Sequence, residues 1–264
     1  MKRLIIRPGG IGDCILALPA IEHLRADWTE VWVASPNVPL IRCVDSVRSI
    51  ASSGLDSVGL PDREPPAALG SFDSIVSWYG SNRPEFRAAV AGFPFTFLAA
   101  LPEQGAHVHA ADFFLRQAGG TGRALPRIEC PSAPGGYVAI HPFSSSAKKN
   151  WPLERYRELA RRLDAPVRWC AGPEEALDGA ERFDDLYNLA CWLAAARLYI
   201  GNDSGITHLA AAVGTPVLAL FGPSDPAVWA PRGDRVQVVA TPHREDPMDR
   251  IGVQEVLESV RRIA

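Results

Sequence analysis

The sequence predicts an α/β protein carried on two parallel sheets. Short β-branched runs alternate with helix-compatible segments along nearly all of the 264 residues, a Gly- and Pro-dense stretch at 119–136 interrupts the alternation, and the same alternation then resumes. Two β-α-β series imply two Rossmann-like domains, 1–121 and 137–264, with residues 122–136 as the linker. The last helix is left free to return to the first domain.

In the first series, strands are expected over 3–7, 30–34, 73–79 and 94–99, with helices over 13–26 and 109–118. The second series gives strands over 137–142, 166–171, 197–201, 216–221 and 235–240. Helices between and after them fall near 152–163, 186–196, 204–213 and 252–263. Pro152 marks the start of the first of these, because its fixed φ suits a first helical turn. Two halves of this kind place a ligand cleft at the C-terminal ends of the strands.

Composition narrows the function classes. The chain is 47% apolar and 22% charged, ordinary for a globular protein, and its 27 basic and 30 acidic residues are close to balanced within each half. Neither half looks like a general nucleic-acid binder. Five cysteines, at 14, 43, 130, 170 and 191, show no metal-type or CxxC spacing and read as reduced thiols. With no apolar run of membrane-spanning length and a charged start broken by Arg7-Pro8-Gly9-Gly10, a cytoplasmic location is expected, with peripheral membrane contact left open.

Four segments carry chemistry. In GNDSGITHLAAAVGTPVLALFGP (201–223), Asn202, Asp203, Ser204 and Gly205 favour a turn and a helix N-terminus, whose outward N–H groups and partial positive charge attract phosphate. An ordinary capped helix in an α/β domain explains the same residues. At the N-terminus, Gly9, Gly10 and Gly12 let the chain turn off the first strand. A dinucleotide fingerprint starting at Gly10 fails, because Ile15 stands where its third glycine is needed. Asp13 then either caps the helix that follows or serves as a general base in the cleft.

The loop HPFSSSAKKNWPLERYREL (141–159) offers hydroxyl donors at Ser144, Ser145 and Ser146 and positive charge at Lys148 and Lys149. Together they suit a diphosphate, while two adjacent lysines in a loop also suit plain solvent exposure. In CAGPEEA (170–176), Glu174 and Glu175 follow a strand, where an acid either accepts from ribose hydroxyls or occupies a first helical turn.

Position and order join these segments into one resemblance. The pattern Arg7, Ile11, Gly12, Asp13, Leu16, Pro19, Ala20, the His141-to-Tyr156 segment and the block from Asn202 to Pro226 are similar to the lipopolysaccharide heptosyltransferases of glycosyltransferase family nine. The resemblance covers both halves. It implies a GT-B fold of two facing Rossmann-like domains, the C-terminal one binding an ADP-sugar donor and the N-terminal one a glycan or glycolipid acceptor.

Residue roles follow from the resemblance alone. Asp13 matches the general base, and Lys149 matches the lysine that steadies the departing diphosphate. Asp203, Ser204 and Gly205 match the donor phosphate turn, with His208 one helical turn on, and one of Glu174 and Glu175 matches the ribose acid. No metal or other cofactor is expected, so lysine and helix dipoles must supply the positive charge. The activity implied is inverting transfer of a heptose or related sugar to lipopolysaccharide or another surface glycan. A non-catalytic nucleotide-sugar-binding protein of the same fold is the alternative, and an NAD-dependent dehydrogenase is disfavoured by the broken glycine pattern. The stretch from Gly172 to Asn202 is short for the family, and between residues 50 and 115 Arg83 and Arg87 are the one close basic pair, which points to a less anionic glycan or another saccharide as acceptor.

Overall fold

Leu4, Ile5 and Ile6 are wholly buried in the first strand of a computed structural model that describes residues 1–103, 105, 107–131 and 135–263. Unbroken apolar runs of this kind suit a parallel sheet covered on both faces. The chain divides into two compact units, Met1–Ala124 and Leu125–Ala264.

The first unit runs β1 (Lys2–Arg7), α1 (Ile11–His23), β2 (Trp28–Val33), β3 (Ser46–Ser49), β4 (Ser74–Ser77), α2 (Pro84–Ala89), β5 (Phe95–Phe97) and α3 (Ala110–Gln117), with short 3-10 turns between. Its sheet has the order β3-β2-β1-β4-β5 with parallel pairings throughout. Leu4, Ile6, Trp32, Ile75 and Phe86 centre one apolar cluster.

The second unit runs β6 (Val138–His141), α4 (Leu153–Arg161), β7 (Val167–Trp169), α5 (Leu186–Ala195), β8 (Leu198–Asn202), α6 (Gly205–Ala212), β9 (Val217–Phe221), α7 (Pro226–Trp229), β10 (Val236–Ala240) and α8 (Val253–Ile263). Its sheet order is β10-β9-β8-β6-β7, again parallel. The apolar face of α8, through Val253, Val256, Leu257 and Val260, joins the core formed by Ile140, Ile200, Leu218 and Leu220. The last helix therefore packs on its own unit, against α4, β9 and β10.

The expected α/β class with two parallel sheets is found. Of the expected linker, residues 132–134 lie outside the described residues, while Ile128 already donates to the Ala212 carbonyl at 2.9 Å and so belongs with the second unit. Among the described residues, no helix is long and apolar enough to cross a membrane.

Strand order decides where each unit can hold a ligand. Chain direction across the sheet reverses between β1 and β4 in the first unit and between β6 and β8 in the second. In open parallel sheets the loops leaving such neighbours diverge and leave a crevice at the strands' C-terminal ends. The loops after β1, β6 and β8 carry most of the candidate residues, and the loop after β7 carries Glu174 and Glu175.

Candidate active site

In the second unit, the loops leaving β6 and β8 are tied together by Asn202, the last residue of β8, whose side chain is fully buried. Its carboxamide oxygen accepts from the Trp151 N–H and the Tyr156 hydroxyl, both at 2.9 Å, and its amide nitrogen donates to the Pro142 carbonyl at 2.8 Å. One side chain thereby fixes both ends of the 142–151 loop. Burial drives the Tyr156 phenol far above its ordinary range, so it stays a neutral donor.

On that frame Lys149 Nζ reaches Asp203 Oδ2 at 2.6 Å. The 3-10 turn Ala147–Lys149 separates the two lysines, leaving Lys148 exposed and Lys149 half-buried against the turn after β8. The Asp203 N–H donates to the Leu220 carbonyl at 2.9 Å, so Asp203 is held from both ends and offers its carboxylate to the lysine.

Ser204 caps α6, its hydroxyl accepting from the Thr207 N–H and lying 3.1 Å from Thr207 Oγ1. Thr207 in turn bonds the Asn202 carbonyl. The cap takes one first-turn donor. The N–H groups of Gly205 and Ile206, which an α-helix leaves without internal partners, remain for an anion. His208 is 6% exposed, buried within α6 behind that turn.

The serine loop is less uniform than its sequence. Ser144 Oγ lies 2.8 Å from the Ser146 carbonyl and 2.7 Å from Asn150 Oδ1, so this hydroxyl holds the loop's own shape. Ser145 is exposed.

The two glutamates also separate. Glu174 is exposed, whereas Glu175 Oε2 accepts from the Gly172 N–H at 2.6 Å and meets His141 Nε2 at 2.9 Å. Partial burial pushes the Glu175 carboxyl up, but the His141 bond, the Gly172 N–H and Arg182 outweigh it and leave it below its ordinary range. His141 was not singled out from sequence, although a histidine ending a buried strand beside a second strand's acid turn was the available signal.

In the first unit, Asp13 is the third residue of α1, and its Oδ2 accepts from the Gly10 N–H at 3.0 Å. Arg7 approaches from the other side, Nη2 lying 3.7 Å from Asp13 Oδ1. Gly10 is the N-cap and Gly12 lies inside the first turn, both at ordinary helical or extended angles. The residue that needs to be glycine is Gly9, at φ +110°, where a Cβ would stand 2.7 Å from both Cβ and Oδ2 of Asp13. Burial pushes the adjacent Cys14 thiol up to about 12, which removes it as a nucleophile. Among the described residues, no group of three or more His, Cys, Asp or Glu side chains is placed to hold a metal ion.

The family model described as glycosyltransferase family 9 (heptosyltransferase) matches residues 103–255, more than half of the chain. The chain belongs to glycosyltransferase family 9. The matched span holds Lys149, Glu175 and Asp203, while Asp13 precedes it.

Relatives in family 9 agree. Lipopolysaccharide heptosyltransferase 1 of Escherichia coli (strain K12) is 32% identical over 145 residues, 49% of this chain and 45% of the relative. The chain thus matches about half the length of this curated relative. Among solved structures, that of the E. coli ADP-heptose lps heptosyltransferase II is 18% identical with a TM-score of 0.78, covering all of this chain and 98% of the other. TibC from enterotoxigenic E. coli, an iron-containing dodecameric glycosyltransferase, has a TM-score of 0.64 at 16% identity over 99% of this chain and 75% of its own. At these identities the structures establish the fold, which is the GT-B class expected.

Proposed function

We propose that the protein transfers a heptose or related sugar from an ADP-sugar to a saccharide of lipopolysaccharide or another surface glycan. One observation carries the reading most: Lys149, paired with Asp203, stands beside a helix N-terminus with two first-turn N–H groups to give. That combination suits a diphosphate leaving group, whose charge grows as the glycosidic bond breaks.

In this reading the second unit holds the donor. Lys149, Gly205 and Ile206 take the diphosphate, the turn at Gly172–Glu175 lies toward the ribose, and Asp203 acts by holding Lys149. Of the two glutamates, Glu174 has the freer carboxylate for a ribose hydroxyl, since Glu175 already meets the Gly172 N–H and His141. Ser144, Ser145, Lys148 and His208 take supporting places around that site, and Gly10 and Gly12 shape the turn that presents Asp13.

Transfer is a single displacement with inversion. An acceptor hydroxyl oxygen attacks the anomeric carbon, the bond from that carbon to the diphosphate oxygen breaks, ADP takes the electron pair, and Asp13 receives the hydroxyl proton. The positive charge is supplied by Lys149 and the α6 N-terminus, without a metal. The same reading places the enzyme on the cytoplasmic face of the inner membrane, with peripheral contact to a glycolipid acceptor.

The test is incubation of the whole chain with ADP-heptose and deacylated inner-core oligosaccharides, with and without excess EDTA, followed by mass spectrometry and NMR of the product. The reading expects an acceptor heavier by one heptose, an inverted anomeric centre and no loss with EDTA. Asp13→Ala should lower turnover by about 100-fold or more, the usual scale for a lost general base, with ADP binding unchanged. An intact donor after long incubation sinks the activity, a retained anomer sinks the displacement, and EDTA inactivation sinks the metal-free account.

A further inference from the structure

Arg7 ends β1 as the largest charged side chain in the interior of the first unit, 2% exposed. Its guanidinium carbon lies 4.4 Å from the centre of the Phe114 ring and 5.5 Å from that of Trp78. Nε and Nη2 both donate to the Asp13 carbonyl, at 3.2 and 3.1 Å, and Nη1 donates to the Ala100 carbonyl at 3.4 Å. The same Nη2 faces Asp13 Oδ1 at 3.7 Å, beyond hydrogen-bond length but well within ion-pair range.

Burying a cation in an aromatic slot is costly, and an apolar side chain would fill the same space without the desolvation penalty. What an apolar side chain could not do is grip one residue by its main chain and face its carboxylate at once. A guanidinium can, because its donors lie in a rigid fork. With Oδ2 held by the Gly10 N–H and Oδ1 faced by Arg7, the carboxylate has little torsional freedom. Each oxygen keeps a further lone-pair direction for an incoming hydroxyl.

We propose that Arg7 is a positioning residue, fixing the Asp13 carboxylate in the orientation that accepts the acceptor's proton. This rests on the reading of Asp13 as the proton acceptor. Burial pulls the guanidinium below its usual range, and an arginine so placed still stays cationic near neutrality.

A double-mutant cycle on the whole chain tests it, using ADP-heptose and a deacylated inner-core oligosaccharide at saturation. Arg7→Met should lower kcat by about 10- to 100-fold, the scale of a reacting group displaced by an ångström, with KM for ADP-heptose within about twofold. On the Asp13→Asn background the same substitution should cost less than about threefold, because the group it positions is gone. Arg7→Lys, a point charge that cannot grip both sites, should recover only part of the loss; it replaces Arg7→Met in the cycle if that variant does not unfold cooperatively. Equal losses on both backgrounds, or unchanged kcat in Arg7→Met, overturn the positioning role. Wild-type turnover in Asp13→Asn instead overturns the base assignment beneath it.

Discussion

The Lys149 ammonium lies 2.6 Å from the Asp203 carboxylate, joining the loop after β6 to the turn after β8. The pair keeps a cation at the N-terminus of α6 before any ligand arrives. Preorganised charge of this kind costs little reorganisation at the moment of reaction. Lys149→Ala should therefore lower kcat by about 100- to 1,000-fold, as for other single electrostatic donors. Asp203→Asn removes the tether and keeps the lysine, so its loss should be smaller, at most about 100-fold. Steady-state transfer rates give the order, and a larger loss in Asp203→Asn than in Lys149→Ala would assign Asp203 a direct role.

Gly9 should tolerate no side chain. At φ +110°, with Asp13 only 2.7 Å from the added Cβ, Gly9→Ala has to move the carboxylate or the turn. A loss of about 1–3 kcal/mol in stability is the usual cost of such backbone strain, together with a fall in kcat. Gly10→Ala, whose Cβ would meet only Asp13 Oδ2 at 3.9 Å, should be close to neutral in stability. Chemical denaturation of the two variants checks the contrast.

Asn202 should be a stability residue before it is a functional one. Asn202→Leu keeps the volume but strips partners from the Trp151 N–H, the Tyr156 hydroxyl and the Pro142 carbonyl. Each buried group left unpaired costs about 1–3 kcal/mol, so for three groups a total of at least about 3 kcal/mol is expected from urea unfolding followed by tryptophan fluorescence. A change under about 0.5 kcal/mol would mean that the loop finds other partners.

The Glu175 carboxyl gives the second unit an acid-sensitive contribution. Its pKa is held below the ordinary 4.5, the bonds to His141 and Gly172 outweighing the opposing effect of burial, so the folded state binds its proton less readily than the unfolded state. That stabilisation is present above about pH 4.5 and is lost as pH falls through the depressed folded value. Unfolding free energies of the wild type and Glu175→Gln from pH 6 to pH 3 should differ most at pH 6 and converge in acid. Parallel curves would show that the carboxylate contributes nothing through its charge.

The sequence made the long, strongly patterned elements legible. Strands expected over 3–7, 137–142 and 216–221 are Lys2–Arg7, Val138–His141 and Val217–Phe221, and the helix over 186–196 is Leu186–Ala195. Their apolar runs are continuous, as doubly covered strands require. β3, α2 and α7 were not legible. Ser46–Ser49 has no apolar run, and Pro84–Ala89 and Pro226–Trp229 are too short for helical periodicity, so each exists by packing on its neighbours.

At the site, residue types were legible but their division of labour was not. Two adjacent lysines and two adjacent glutamates are equivalent as letters. The family resemblance singles out Lys149, which the 3-10 turn half-buries, whereas the two glutamates are told apart by the fold-back of Glu175 onto Gly172. Arg7 appeared as a motif residue, yet its burial between Phe114 and Trp78 depends on α3 and the end of β4, far along the chain.

The most direct measurement is a crystal structure of the whole chain soaked with an ADP-sugar. The account predicts the diphosphate against the N–H groups of Gly205 and Ile206, with Lys149 Nζ within hydrogen-bond distance of a phosphate oxygen. A nucleotide bound with its diphosphate away from both would contradict it.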